Sequence, residues 1–137
     1  MITGPALAAC LMAAASTYQV PPAVLLGIMH VEGGRVGQAV GNTNGSYDLG
    51  PMQINTVHLP SVAGAWGISQ NQAYNMIKND GCVNVHVAAW ILRKGINAGN
   101  NLTLGIAYYH SRTPKFGYVY ARKVIGAMKQ MDLIASN

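Results

Sequence analysis

Charge is what this chain has least of: Lys, Arg, Asp and Glu together make up 9% of its 137 residues, against roughly 25% in ordinary soluble domains. Acid is scarcer still. Asp and Glu number 4, namely Glu32, Asp48, Asp80 and Asp132, so any acid–base chemistry has to be drawn from that short set. No Lys or Arg precedes Arg35, which excludes the basic start of a secretory signal, and residues 1–137 read as one mature domain without a signal peptide. The longest apolar runs, Ala6–Ala15 and Val20–Val31, fall well short of the ~20 residues a membrane helix needs. No membrane span is expected. Cys82 and His86 stand four apart, as metal ligands do on a helix, but no second ligand pair accompanies them, so neither metal nor cofactor is expected.

What is present is apolar and small: half the residues are hydrophobic and Gly numbers 16, enough for one core in a single domain. No repeat, low-complexity linker or break in composition marks a second one. Helical spacing joins Leu7, Cys10, Leu11, Ala14 and Tyr18, and Val20-Pro21-Pro22 ends that segment. A second helix opens at Pro22 and turns Val24, Leu25, Ile28 and Met29 inward before Gly33-Gly34 stops it. From Ala39 to Asn55 the helical period vanishes, and Asn44-Gly45 predicts a small β-hairpin. Ser69-x-x-Gln72 is a capping box; Val85, Ala88, Ala89 and Leu92 continue a helix after Asp80-Gly81, and two more are predicted over about 103–111 and 118–134. The expected fold is mainly α (α+β), about six helices with one small β-hairpin.

Glu32, the only Glu, sits at the C-terminal turn of the second helix, where unpaired carbonyls favour cations and oppose a carboxylate. Beside Ile28, Met29 and Val31, desolvation and the helix dipole should raise its pKa, as a general acid near neutral pH requires. Taken alone, it is more readily a solvated residue at a fraying helix end than a catalytic one. The following hairpin changes the balance, because Asn42, Asn44, Ser46, Asp48, Gln53 and Asn55 crowd uncharged hydrogen-bonding groups suited to sugar hydroxyls and acetamido groups. Turn chemistry explains Asn42 through Gly45, but not Gln53 and Asn55.

The helix end Val31-Glu32, the hairpin Asn42-Thr-Asn-Gly-Ser46-Tyr-Asp48-Leu-Gly50-Pro-Met52-Gln53-Ile54-Asn55 and the later Tyr109-His110-Ser111 together resemble the small lytic transglycosylases that accompany secretion, conjugation and type IV pilus machines. The hairpin is also similar to that of c-type lysozymes. The resemblance spans roughly Pro5 to Ile125 and implies a lysozyme-like fold, with Glu32 as catalytic acid and base and Tyr109 orienting it. It further implies Met52 and Gln53 as a cleft-lining pair; Ser46 and Asn55 of the hairpin and His110 beside Tyr109 are read as further substrate contacts, and Tyr120, which matches a Tyr recurring in the family's last helix, faces either core or substrate. In that family one Glu protonates the oxygen bridging N-acetylmuramic acid and N-acetylglucosamine, then takes the proton of the muramoyl 6-hydroxyl. A 1,6-anhydro sugar results. Three positions depart from the pattern: Gly33 replaces a usual Ser, Pro51 a common Leu, and His110 an Asn found in many larger relatives.

Asp48 stands where c-type lysozymes keep their second acid. It is read as electrostatic support for Glu32, with a hairpin-fixing role and a lysozyme-type nucleophile as alternatives. Cys10 and Cys82 are free thiols in a cytosolic protein or a pair in an exported one; the resembling family has Cys at both places, which implies a disulfide and a periplasmic or otherwise secreted protein. The formal charge of +5 gathers in Arg112, Lys115, Arg122, Lys123 and Lys129, among aromatics as in single-strand nucleic-acid binders. No nucleic-acid motif is present, and attraction to an anionic wall explains the same charge. The partners implied are peptidoglycan glycan strands and a secretion, conjugation or pilus machine, the protein itself acting as a monomer. A hydrolytic muramidase using Glu32 and Asp48, or a non-catalytic wall-binding protein, stand as the other readings.

Overall fold

A computed structural model describes residues 4–135, and among these the chain forms seven helices and a three-stranded antiparallel sheet. The helices are α1 (Gly4–Tyr18), α2 (Pro22–Glu32), α3 (Leu59–Trp66), α4 (Gln70–Asn79), α5 (Gly81–Gly99), α6 (Leu102–His110) and α7 (Pro114–Gln130). The strands β1 (Ala39–Gly41), β2 (Tyr47–Leu49) and β3 (Ile54–Asn55) fall between α2 and α3. This is a lysozyme-like arrangement, mainly helical with one small sheet. Six of the helices fall where helices are expected, although α7 begins and ends about one turn earlier than the expected 118–134. The additional one, α3, is eight residues long, and its buried Leu59, Val62 and Ala63 make too brief a pattern to stand out beside Pro60 and Gly64.

The longest helix, α5, is the hub, packed against α1, α4 and α6. Its start is secured twice. Asp80 accepts from the N–H groups of Cys82 and Val83 at 2.9 and 3.1 Å, and Cys82 forms a disulfide with Cys10 on α1, a Cα–Cα separation of 5.2 Å. Closing a loop of 72 residues contributes roughly 4 kcal/mol in the chain-entropy model. Ser69 and Gln72 make the expected capping box at α4.

Contact between α2 and α7 sets the position of Glu32. Gly27 permits it, since a Cβ there would lie 2.8 Å from Met128 Cγ and 3.2 Å from the Val124 carbonyl oxygen. Pressed together this closely, the two helices bring Glu32 at the C-terminal end of α2 within hydrogen-bond reach of Tyr120 in the first half of α7. Helix α2 then ends on Gly33, whose left-handed φ of 63° lets its N–H close on the Met29 carbonyl at 2.9 Å. A glycine at this departure from the family pattern thus provides an unstrained stop directly behind Glu32.

In the sheet, Asp48 pairs with Val40 on one side and Asn55 on the other, while Leu49 pairs with Ile54. Alternation sends Leu49 and Ile54 into the core and leaves Asp48 and Asn55 half-exposed on the other face. Asn42 N–H to the Ser46 carbonyl, 2.8 Å, closes the β1–β2 hairpin at the Asn44-Gly45 turn. Trp66 does not join the core: it is 41% exposed and borders a separate apolar pocket of about 210 Å³ with Tyr18 and Trp90.

Candidate active site

A cleft of about 680 Å³ runs between the sheet and helices α5 and α6. Glu32, Ser46, Asp48, Gln53, Asn55, Tyr109 and His110 all line it, so seven of the nine catalytic or substrate-contacting residues expected from the sequence converge there. The four carboxylates divide accordingly. Glu32 and Asp48 face the cleft, whereas Asp80 caps α5 and Asp132 is exposed beyond α7.

Glu32 is held by one strong contact. Its Oε2 accepts the Tyr120 hydroxyl at 2.6 Å, within the short range of hydrogen bonds to a charged acceptor. Burial raises the pKa of its carboxyl; the Tyr120 hydrogen bond pulls it down, and the negative charge of Asp48 pushes it up again. The balance is upward. A carboxyl so placed keeps its proton to higher pH than an exposed Glu, yet has a donor ready to steady the anion once the proton has left. Tyr120 can play that part because burial, then the neighbouring Tyr109 and Glu32, hold its hydroxyl far above the range in which it would ionise.

Met52 sits differently from expectation, and Tyr120 takes the core side of its two readings. Tyr120 is buried and lies behind Glu32 as its hydrogen-bond partner instead of on the cleft surface as a sugar contact. Tyr109 lines the cleft, but its hydroxyl donates to the Met52 carbonyl at 2.8 Å, so the direct hold on Glu32 belongs to Tyr120. The rings form a parallel series, Tyr109 at 6.3 Å and His110 at 4.8 Å from Tyr120, with interplanar angles of 10° and 9°. Burial, and then the charges of Glu32 and Asp48, raise the Tyr109 pKa well above normal. Met52 is fully buried: its side chain belongs to the core beside Leu49 and Ile54, and it serves the site through its backbone carbonyl.

The sheet wall is a connected set of amides and hydroxyls. Asn55 Nδ2 donates to Asp48 Oδ1 and to Ser46 Oγ, each at 3.0 Å, and Asn42 Nδ2 reaches the same two residues at 3.3 and 3.0 Å. Ser46 Oγ donates in turn to Asn44 Oδ1 at 2.7 Å. Gln53 takes a left-handed φ of 52° and donates from Nε2 to the Gly50 carbonyl at 3.0 Å. That conformation costs a non-glycine residue about 1 kcal/mol and aims the side chain along the cleft wall.

Asn84 is a positioning residue that sequence reasoning missed. Fully buried on α5, it donates to the carbonyls of Leu49 and Ile77 at 2.8 and 3.0 Å and accepts from the Met52 N–H at 2.9 Å. One side chain thereby ties β2 and the β2–β3 turn to α4 and α5. Its signal was an amide between Val83 and Val85 in the largely apolar first half of α5, which is costly unless bonded. Lys94, Tyr108 and His58 also border the cleft, and burial together with the charge of Lys94 lowers the His58 pKa.

A lysozyme-like fold with a half-buried Glu at a helix end, facing a polar sheet across a cleft, defines a glycan-cleaving class of protein. The transglycosylase SLT domain matches residues 9–119, most of the chain. The protein belongs to that family, whose members are lytic transglycosylases acting on peptidoglycan. A comparison with curated proteins finds no match.

Proposed function

We propose that Glu32 performs both proton transfers of a lytic transglycosylase. It protonates the oxygen between N-acetylmuramic acid and N-acetylglucosamine as the C1–O bond breaks. As carboxylate it then accepts the proton of the muramoyl 6-hydroxyl while that oxygen bonds to C1, closing the 1,6-anhydro ring and restoring the acid. The observation that carries this reading is the Glu32–Tyr120 contact at 2.6 Å inside the cleft: a carboxyl with a raised pKa and a dedicated donor suits a group that gives a proton and takes one back. Gln53, Asn55, Ser46 and His110 hold the sugar hydroxyl and acetamido groups. Asp48 supports the positive charge that develops at C1.

A hydrolytic outcome, with water in place of the 6-hydroxyl and Asp48 as nucleophile or stabiliser, is the second reading, favoured by the presence of both carboxylates in one cleft. We further assign the protein to the periplasm or another exported location, which the Cys10–Cys82 disulfide supports. Its work there is to open the wall locally for a secretion, conjugation or pilus machine, a reading supported by the likeness of Tyr109-His110-Ser111 to that branch. Digestion of purified peptidoglycan followed by mass analysis tests the reaction. Anhydro ends, one water lighter than hydrolysed ends, are expected from the native protein. Glu32→Gln should lower their formation by roughly 10²–10⁴-fold; hydrolysed ends would establish the second reading, and product undiminished in the variant would remove Glu32 from its role.

A further inference from the structure

Two cations border the cleft without a part in the proton transfers of Glu32. Lys94 projects from α5 and Arg112 follows α6. Each is seated on an aromatic ring, Lys94 Nζ 4.3 Å from the centre of Trp90 and the Arg112 guanidinium 4.4 Å from that of Tyr108. A cation–π seat directs the side chain but leaves its charge available. The carboxylates are engaged elsewhere: Glu32 with Tyr120, Asp48 with Asn42 and Asn55, Asp80 with the first turn of α5, while Asp132 lies past α7. His58, on the same cleft, has its pKa lowered and adds no lasting charge near neutral pH. The cleft is thus divided, with amides and Asp48 on the sheet, Glu32 at the end of α2, and two uncommitted cations toward α5 and α6.

The sugars of a glycan strand are neutral rings, and their hydroxyl and acetamido groups match the sheet wall. Negative charge enters only through the lactyl ether on alternate sugars, as a free carboxylate in a bare strand or as peptide carboxylates where a stem is attached. We propose that Lys94 and Arg112 form a subsite for the carboxylates of this lactyl–peptide branch, so that the enzyme favours charged wall strands over uncharged chitin-like ones. The proposal rests on peptidoglycan being the substrate.

The test measures binding in a Glu32→Gln background, where strands are not consumed. Three ligands are compared at low and high salt: an uncharged N-acetylglucosamine oligomer, glycan strands stripped of peptide, and strands bearing stems. Adding Lys94→Gln and Arg112→Gln, both at exposed positions, should lower the ratio of charged to uncharged affinity by about 10-fold and flatten its salt dependence. Loss on stem-bearing strands assigns the subsite to peptide carboxylates, and loss on stripped strands alone assigns it to the lactyl carboxylate. An unchanged ratio, including equal weakening of the uncharged oligomer, overturns the proposal. Absence of binding to all three ligands before the cations are removed would instead sink the peptidoglycan reading, and this inference with it.

Discussion

The two walls of the cleft are built on opposite plans. On the helical side the groups around the acid are paired one to one and largely buried: Tyr120 holds Glu32, and Tyr109 holds the Met52 carbonyl. On the sheet side Asn42, Asn44, Ser46, Asp48 and Asn55 share a half-exposed web in which Ser46 and Asp48 each have more than one partner. A buried one-to-one contact sets a pKa and a geometry sharply, and its loss leaves an orphaned group. A solvent-facing web can exchange partners with water and with sugar hydroxyls. The division suits a site that needs one group fixed and many groups adaptable.

Asn84 joins the two plans, and removing it should have the largest structural effect. Asn84→Ala strands the Leu49 and Ile77 carbonyls and the Met52 N–H inside the core, at a cost of about 3–5 kcal/mol. Thermal unfolding should shift down by roughly 10 °C or more, and activity should fall further than stability alone explains, because the sheet loses its tie to α5. A variant with native melting behaviour would show that the walls are held in place independently.

Tyr120→Phe tests the one-to-one plan at the acid itself. The Tyr120 hydrogen bond lowers the Glu32 pKa against the upward push of burial, so its removal should raise that pKa. Because the protonated form starts the reaction, the alkaline limb of kcat/KM should move to higher pH, while the rate at the optimum falls by about 10-fold as the carboxyl loses its orientation. A merely structural role would lower the rate without moving the limb.

The same contrast explains what was legible in the sequence. Glu32 could be found because a lone acid at a helix C-terminus runs against the dipole, and the sheet wall because its density of Asn, Ser and Gln exceeds what turns require. Residue spacing could not say which tyrosine hydroxyl reaches Glu32, since that depends on how closely α2 and α7 approach, and Gly27 governs the approach. Reading Met52 and Gln53 as a cleft-lining pair overlooked the turn between β2 and β3. There Met52 turns inward to join Ile54 in the core, while Gln53, at its left-handed φ of 52°, faces the cleft with Asn55. The pairing of Cys10 with Cys82 came from family resemblance and is present in the structure, whereas α3 offered too few turns for its period to register.

Asp48→Asn should give the smallest of these effects, and its size separates the two chemistries. Asparagine retains one oxygen, enough for the 3.0 Å bond from Asn55, while its NH2 replaces the oxygen that accepts from Asn42 at 3.3 Å, so the sheet web should keep its shorter link to this residue and lose the longer, exposed one. Removing the negative charge deletes one of the influences that raise the Glu32 pKa, and the alkaline limb of kcat/KM should therefore move to lower pH, opposite to Tyr120→Phe. If Asp48 acts only through its field, the rate at the optimum should fall by no more than about 10-fold, the loss expected when about 1.4 kcal/mol of transition-state stabilisation is removed. A nucleophile cannot be replaced at so small a loss. A fall approaching that of Glu32→Gln, with folding intact, would mean that the adaptable wall also carries a fixed catalytic group, and the division between the two walls would no longer hold.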